Sequence, residues 1–175
     1  MADTASDSRQ WESAGEPFSA QDGGWLPFLD GRVQLCCTDA QLRPIVLHGN
    51  RLLIARRLCQ TTELQTVLEQ WFRQQASLYL PVRLQAWAAR MGLQYQRVTI
   101  RNPKSRWGSC SSLGSINLNW RLIWVPVCLG DYVLVHELSH LRHMNHSPAF
   151  WRVVASFVPE YQEYRRRLRH LGLPW

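Results

Sequence analysis

One six-residue segment constrains this chain more than any other, because it places two histidines four positions apart. Residues 135–140 read Val-His-Glu-Leu-Ser-His. On a helix, side chains at positions i and i+4 lie one above the other on one face, so the imidazoles of His136 and His140 can reach one metal ion. The alternative is a helix with two surface histidines and a solvated glutamate. The apolar residues 132–135 instead favour a buried helix with a metal site.

Glu137 follows directly on the first histidine, which places it to accept a proton from a metal-activated water rather than to bind the metal. A catalytic zinc ion has three protein ligands as a rule and keeps its fourth position for that water. The segment therefore predicts a zinc site with His136 and His140 as ligands and Glu137 as the general base.

Two nearby histidines compete for the third ligand position. On a continuing helix His143 would lie roughly 10 Å along the axis from His136, at about 1.5 Å per residue, which is too far for one ion to bridge. His146 comes after Met144-Asn145, where asparagine can end a helix and turn the chain back. We therefore predict His146 as the third ligand.

The length and composition of the chain predict one domain. With 175 residues, 46% of them hydrophobic, it can bury one core of ordinary size. Residues 1–24 are polar and lack apolar periodicity, so we expect a flexible tail followed by a single domain over 25–175. There is no basic segment followed by an apolar run at the start and no stretch of transmembrane length, which predicts a cytoplasmic protein without membrane contact. The five cysteines are odd in number and form no CxxC pair, which favours free thiols over a disulfide scaffold.

Hydrophobic periodicity predicts an α+β fold with a small antiparallel sheet packed on the active-site helix and flanking helices. Alternating patterns indicate strands at 32–35, 44–47, 51–54, 95–100 and 115–120. The first three of these strands read as an antiparallel meander.

Helical spacing of apolar residues indicates helices at 63–91, 130–143, 148–159 and 161–171. Pro81 is expected to kink or restart the first of them. Asp131 is expected to cap the second, and the Ser147-Pro148 pair to begin the third.

Two separated motifs resemble the YgjP-like metallopeptidase family. One is the run over 136–151, with its histidines and Phe150-Trp151, and the other runs from Lys104 through Arg106-Trp107-Gly108 to Ile123. The likeness covers roughly residues 29–171. It implies a compact zincin-like, minimal gluzincin fold with one zinc ion, and kinship with SprT-like and Wss1-like proteases, some of which cut proteins crosslinked to DNA. The resemblance also implies His136, His140 and His146 as zinc ligands and Glu137 as catalytic base.

The upstream motif has two interpretations. It can be a buried tryptophan under a turn with arginine on the surface, or an edge strand that pairs with an extended substrate. In the second case the substrate contacts would come from Arg106, Trp107, Asn117 and Asn119. Arg106, Asn145 and Tyr161 are also candidates for stabilising the oxyanion of the reaction.

The function predicted from these patterns is a zinc metallopeptidase that hydrolyses peptide bonds of a protein or peptide substrate. The formal net charge of +7, mostly from arginine, and the cluster of Arg165, Arg166, Arg167 and Arg169 leave open a DNA-associated protease that acts on nucleic-acid-bound proteins. A second alternative is a non-catalytic, zinc-stabilised binding module, in which Cys110 or Cys128 would complete the metal site.

Overall fold

The computed structural model describes residues 21–39, 43–61 and 63–171. In this part of the chain it contains two small sheets, five α-helices and one 3₁₀ helix. The predicted α+β class is confirmed. The predicted tail over residues 1–24 lies outside the described residues except for its last four.

The N-terminal sheet is mixed, which corrects the predicted antiparallel meander. Its strands are β1 (Trp25–Phe28), β2 (Gly31–Thr38), β3 (Ile45–His48) and β4 (Arg51–Ala55). They lie in the order β1-β2-β4-β3. β1 pairs antiparallel with β2 and β3 antiparallel with β4, whereas β2 and β4 run parallel. The β3–β4 hairpin is the predicted one. Within it, β4 is the strand that pairs with β2, and it supplies the buried residues Leu52 and Ile54.

Residues 21–24, predicted as the end of the tail, are hydrogen-bonded to β2. The carboxylate of Asp22 accepts a hydrogen bond from the backbone N–H of Cys37 at 2.8 Å. The backbone N–H of Gly23 donates to the carbonyl oxygen of Leu35, also at 2.8 Å. The division into a tail and a single domain over 25–175 stays a prediction.

Two cysteines form a disulfide, which corrects the expectation of free thiols throughout. Cys37 at the end of β2 is bonded to Cys59, which is 22 residues further along the chain. The pairing of β2 with β4 brings these residues together, since Thr38 lies opposite Ala55 in the sheet and Cys59 follows one helical turn later. The spacing carries no sign of this pairing because the contact depends on the sheet register. Cys36, Cys110 and Cys128 are free thiols.

The α-helices follow apolar spacing with two corrections. They are α1 (Arg56–Cys59), α2 (Glu63–Met91), α3 (Val127–Ser139), α4 (Pro148–Phe157) and α5 (Tyr161–His170). α2 passes through Pro81 as one 29-residue helix rather than restarting there. Packing overrides the local cost of the proline, since every turn of α2 buries a side chain in the core. No helix in the described residues is long and apolar enough to cross a membrane.

α3 begins earlier than predicted, because its N-terminus is capped from a distant part of the chain. The backbone N–H of Val127 donates to the carboxylate of Asp30 at 2.7 Å. Asp131, the predicted cap, instead accepts two hydrogen bonds from the guanidinium of Arg83 on α2, at 2.7 and 2.6 Å. This bidentate ion pair joins the two longest helices. The predicted cap was therefore wrong.

The second sheet places a short strand over α3. Its strands are β5 (Arg97–Arg101), β6 (Gly108–Cys110) and β7 (Ser115–Asn119), in the order β5-β7-β6. β5 and β7 are parallel, and β6 pairs antiparallel with β7 only. β6 is therefore an outer strand of this sheet within the described part of the chain. The 3₁₀ helix Trp120–Trp124 then leads from β7 towards α3.

An aromatic cluster fixes α2 against the 3₁₀ helix. Phe72 of α2 is fully buried. Its ring centroid lies 5.0 Å from that of Trp71, 5.3 Å from Trp124, 6.2 Å from Phe28 and 6.4 Å from Trp120. Phe72 thus connects α2, the 3₁₀ helix and the end of β1.

We expect Phe72→Ala to lower the free energy of unfolding by about 3–5 kcal/mol, because it removes a fully buried ring at a junction that cannot collapse freely. Urea unfolding followed by tryptophan fluorescence measures this change. Leu78→Ala is the matched control on the same helix, since Leu78 is 64% exposed. It should stay within about 0.5 kcal/mol of the wild type. Equal unfolding midpoints for the two variants would contradict the assigned core.

Candidate metal centre

Two of the predicted ligands lie at the end of α3: His136 is in its last turn and His140 is its C-cap. The residues of α3 from Tyr132 to Ser139 are all buried, including His136 and Glu137. The rings of His136 and His140 are 5.0 Å apart and nearly perpendicular, at 81°. The i, i+4 spacing thus brings the two imidazoles together in the interior, as the sequence predicts.

The end of α3 orients His140. The helix stops at Ser139, four residues earlier than predicted, with His140 as its C-cap. The chain then turns, so that the carbonyl oxygen of His143 lies 3.1 Å from Nδ1 of His140. A carbonyl only accepts, so Nδ1 donates and the neutral ring has its acceptor nitrogen at Nε2. A backbone partner at one ring nitrogen is the usual support of a histidine that binds metal through the other.

The turn also delivers the third predicted ligand. Nε2 of His146 lies 3.1 Å from Nε2 of His136. Potential ligand atoms of His136, His140 and His146 all lie within 4.8 Å of one another. Around a tetrahedral zinc ion with bonds of about 2.0–2.1 Å, ligand nitrogens are about 3.3 Å apart, so this donor set fits a metal ion. His143 contributes its backbone carbonyl and is not a member of the group.

Aromatic residues at the start of α4 form one wall of this group. Ser147 caps α4 by accepting from the N–H of Phe150, and Pro148 follows it, as predicted. The Phe150 ring centroid lies 4.6–4.9 Å from all three histidine rings. Trp151 stacks on His146 at 5.6 Å and 22°. The rings of Phe150 and Trp151 thus pack against the imidazoles, of which His146 is the exposed one.

The site favours neutral imidazoles. Burial lowers the pKa of His136 well below its ordinary value, and the neighbouring His140, His146 and Arg165 lower it further. Burial also lowers the pKa of His140, and burial followed by the charge of Arg165 lowers that of His146. Metal ions bind the neutral form of histidine, so the environment suits metal binding.

Glu137 is held between α3 and the strand β6. Its side chain is 3% exposed, and burial raises its pKa to about 8, with the charge of Arg106 acting in the opposite direction. A β-carbon placed on Gly108 would lie 2.6 Å from Oε1 of Glu137. Only glycine allows this close approach of backbone to carboxylate. The glycine of the Arg-Trp-Gly run therefore sets the position of Glu137.

The free thiol of Cys110 lies on the same strand as Gly108. Burial, followed by the charge of Glu137, raises its pKa to about 11. A thiol with a raised pKa stays protonated and is a poor metal ligand. The group of converging histidines contains no cysteine in the described residues.

The structure separates the four predicted substrate contacts. Arg106 is exposed and Asn117 is half-buried, with its amide donating to Ser109. Trp107 and Asn119 are buried, at 2% and 0% exposure, so neither side chain is accessible to substrate. Both residues face the core, so their burial does not favour the direct contact, which stays a prediction for these two residues.

Asn119 instead stabilises the loop before β6. Its amide donates to the carbonyl oxygens of Pro103 and Arg106, both at 3.0 Å. Its side-chain oxygen accepts from the N–H of Arg121 and caps the 3₁₀ helix. The buried Asn119 thus holds two segments in place, the loop before β6 and the start of the 3₁₀ helix.

Gly108, Phe150 and Trp151 lie in the two motifs named above, but their individual roles in the site carry no clear signal in the sequence. Gly108 is recognisable only through its contact with Glu137, and Phe150 and Trp151 look like ordinary core positions of an amphipathic helix. Arg165 lies in a run that predicts a solvated or nucleic-acid-binding face. The structure instead places its guanidinium 5.0 Å from the centroid of the Trp151 ring.

A buried helix that carries two of three converging histidines, with a buried glutamate beside the first, defines a metal-dependent hydrolase site. Comparison with protein families gives the particular family: residues 6–171 match the YgjP-like metallopeptidase domain, and the chain belongs to this family. The match begins at residue 6, whereas the likeness read from the sequence begins near residue 29.

One solved structure is similar to part of the chain. It is the crystal structure of the metallopeptidase zymogen of Pyrococcus abyssi abylysin, with 29% identity and a TM-score of 0.49. The similarity covers 54% of this chain and 96% of that chain. A search of curated proteins gives no match.

We expect Gly108→Ala to displace Glu137 and to lower kcat/KM for peptide cleavage by roughly a hundredfold, because a shift of about 1 Å in a reacting group costs that much. Bound metal should stay at the wild-type level, since the three atoms nearest the added β-carbon all belong to Glu137 and not to a histidine of the group. The control is Gly31→Ala, whose β-carbon would meet only the Phe28 carbonyl oxygen at an ordinary 3.7 Å. Wild-type kcat/KM in Gly108→Ala would show that the close approach is not needed.

Proposed function

We propose that this protein is a zinc-dependent peptidase that holds one zinc ion through His136, His140 and His146. The observation that supports this most is the convergence of their ligand atoms within 4.8 Å, with Glu137 buried beside them. Three histidine ligands leave the fourth position open, which is the arrangement of catalytic rather than structural zinc. Membership of a metallopeptidase family implies a metal ion, and the donor set of three imidazoles suits zinc.

A zinc ion bound there would supply a Lewis acid that activates water and polarises the scissile carbonyl. Glu137 is the proposed general base: its carboxylate takes a proton from the attacking water and returns it to the leaving amine. Gly108 keeps that carboxylate in position from the side of β6.

The proposed substrate is an extended peptide that lies along β6. β6 is paired with β7 on one side only in the described part of the chain, and it packs against α3. An outer strand over the active-site helix can bind a peptide backbone by strand addition. Arg106, exposed and close enough to affect Glu137, and Asn117 stay predicted substrate contacts.

The two alternative functions receive less support. Two of the four arginines in the α5 cluster have partners within the protein, since Arg165 lies over Trp151 and Arg166 pairs with Glu163. A nucleic-acid partner therefore stays a prediction without an observation in its favour. A structural zinc site would need a fourth protein ligand, and the histidine group includes none in the described residues.

The cytoplasmic location also stays a prediction. The Cys37–Cys59 disulfide is a bond of the kind that persists in oxidising compartments, so it does not support that prediction.

The ligand assignment is tested with His146→Ala, which we expect to lose most of the bound zinc and with it the cleavage of a denatured protein substrate. His143→Ala is the matched control three residues away, because His143 contacts His140 through its backbone carbonyl, which the substitution keeps, and its side chain is not in the histidine group. It should keep zinc and cleavage. Zinc is measured by inductively coupled plasma mass spectrometry, and cleavage is measured before and after chelation and zinc return. The assignment fails if His143→Ala loses zinc and His146→Ala does not.

A further inference from the structure

A cation from α5 lies next to the metal centre. Arg165 is half-buried, and its guanidinium carbon is 5.0 Å from the centroid of the Trp151 ring. Tyr161, one turn earlier on α5, stacks on the same ring at 5.1 Å and 18°. Trp151 in turn lies 5.6 Å from the ring of His146 and 5.8 Å from that of His136. One aromatic ring thus connects the guanidinium to two proposed zinc ligands.

Arg165 has no carboxylate partner among the described residues. The ion pairs there are Arg56–Asp39, Arg73–Glu69, Arg83–Asp131 and Arg166–Glu163. The neighbouring Arg166 is paired within its own helix, whereas Arg165 is turned towards Trp151.

This arrangement creates an unbalanced positive charge. A guanidinium near a site that takes a divalent cation is repelled by it, and partial burial weakens the screening by water. Stacking on an aromatic ring holds a guanidinium in place and leaves its N–H fork free to bind a carboxylate through two hydrogen bonds. Arg106, which is exposed two residues before Gly108 and absent from these ion pairs, adds a second positive charge near Glu137.

We propose that Arg165 binds a carboxylate of the substrate, so that the enzyme prefers peptides with an acidic group close to the scissile bond. The acidic group is either an aspartate or glutamate side chain or the carboxylate at the end of the peptide. This inference rests on the proposed peptidase function, because it assigns the substrate preference of the same site.

The test begins with the full chain loaded with zinc and a peptide library derived from a digested proteome, in which cleavage sites are identified by mass spectrometry. Two matched pairs of synthetic peptides are then built on a cleaved sequence. In one pair, the acidic peptide has a glutamate near the scissile bond and the neutral peptide has a glutamine there. In the other pair, the acidic peptide has a free C-terminal carboxylate and the neutral peptide has a C-terminal amide. The ratio of kcat/KM within each pair is measured for the wild type and the variants.

The wild type should cleave the acidic member of at least one pair faster by roughly tenfold or more, as expected for a charge-assisted hydrogen-bonded pair. The pair that shows the preference identifies the source of the carboxylate. Arg165→Gln and Arg165→Met should reduce that ratio to near one by slowing the cleavage of the acidic peptide, and their bound zinc should equal that of the wild type. Arg165→Met retains the apolar stem over Trp151, so it serves if Arg165→Gln does not fold. Arg165→Lys should keep part of the preference, and the control Arg166→Gln should keep all of it.

Equal cleavage of acidic and neutral peptides by the wild type would overturn the inference and leave the peptidase function intact. An equal loss of activity on both members of a pair in Arg165→Gln, with the ratio unchanged, would also overturn it, since Arg165 would then act on the reacting carbonyl or on the fold. A zinc-loaded wild type that cleaves no peptide in the library would reject the proposed function and this inference together.

Discussion

The burial of α3 is the constraint on which the rest of the structure depends. This helix carries ionisable side chains at His136 and Glu137 inside the protein, where unpaired charge is costly. The fold compensates in two ways: it keeps the imidazoles neutral, and it brings a third histidine to the same point. A metal ion at this point would bind the three histidines and would bind the folded chain only. Metal binding and folding stability should therefore be coupled.

The surrounding elements hold α3 in place. Arg83 of α2 fixes Asp131 near the N-terminal end of α3, and Asp30 caps that end from the loop after β1. β6 packs against Glu137 at Gly108, and α4 packs against the histidines through Phe150. Each contact links α3 to a different part of the chain, so the geometry of the site depends on the whole domain rather than on the motif alone.

The local parts of this arrangement were predictable from the sequence. His136 and His140 follow from helical spacing, and His146 follows from the argument that a straight helix carries His143 too far away. The structure brings His146 to the other two by ending α3 even earlier, at Ser139. The serine cap and N-terminal proline of α4 are likewise local signals, and both are found where predicted.

The parts that could not be predicted depend on contacts distant in sequence. Asp30 is 97 residues from Val127, so its capping role leaves no local pattern. The Cys37–Cys59 disulfide follows from the parallel register of β2 and β4, which the antiparallel meander did not anticipate. Trp107 and Asn119 were assigned to substrate because strand alternation does not reveal which face of a short sheet is covered. The close approach of Gly108 to Glu137 also needed the tertiary structure.

We propose that the three histidines hold zinc, while Glu137 transfers protons without binding the metal. The most direct measurement is the zinc content and peptide-cleavage rate of Glu137→Gln, which keeps the shape of the side chain and removes its basicity. We expect wild-type zinc and a rate lower by about 10²–10⁴-fold, the usual contribution of a general base. A Glu137→Gln protein that cleaves peptides at the wild-type rate, or one that has lost its zinc, would contradict it.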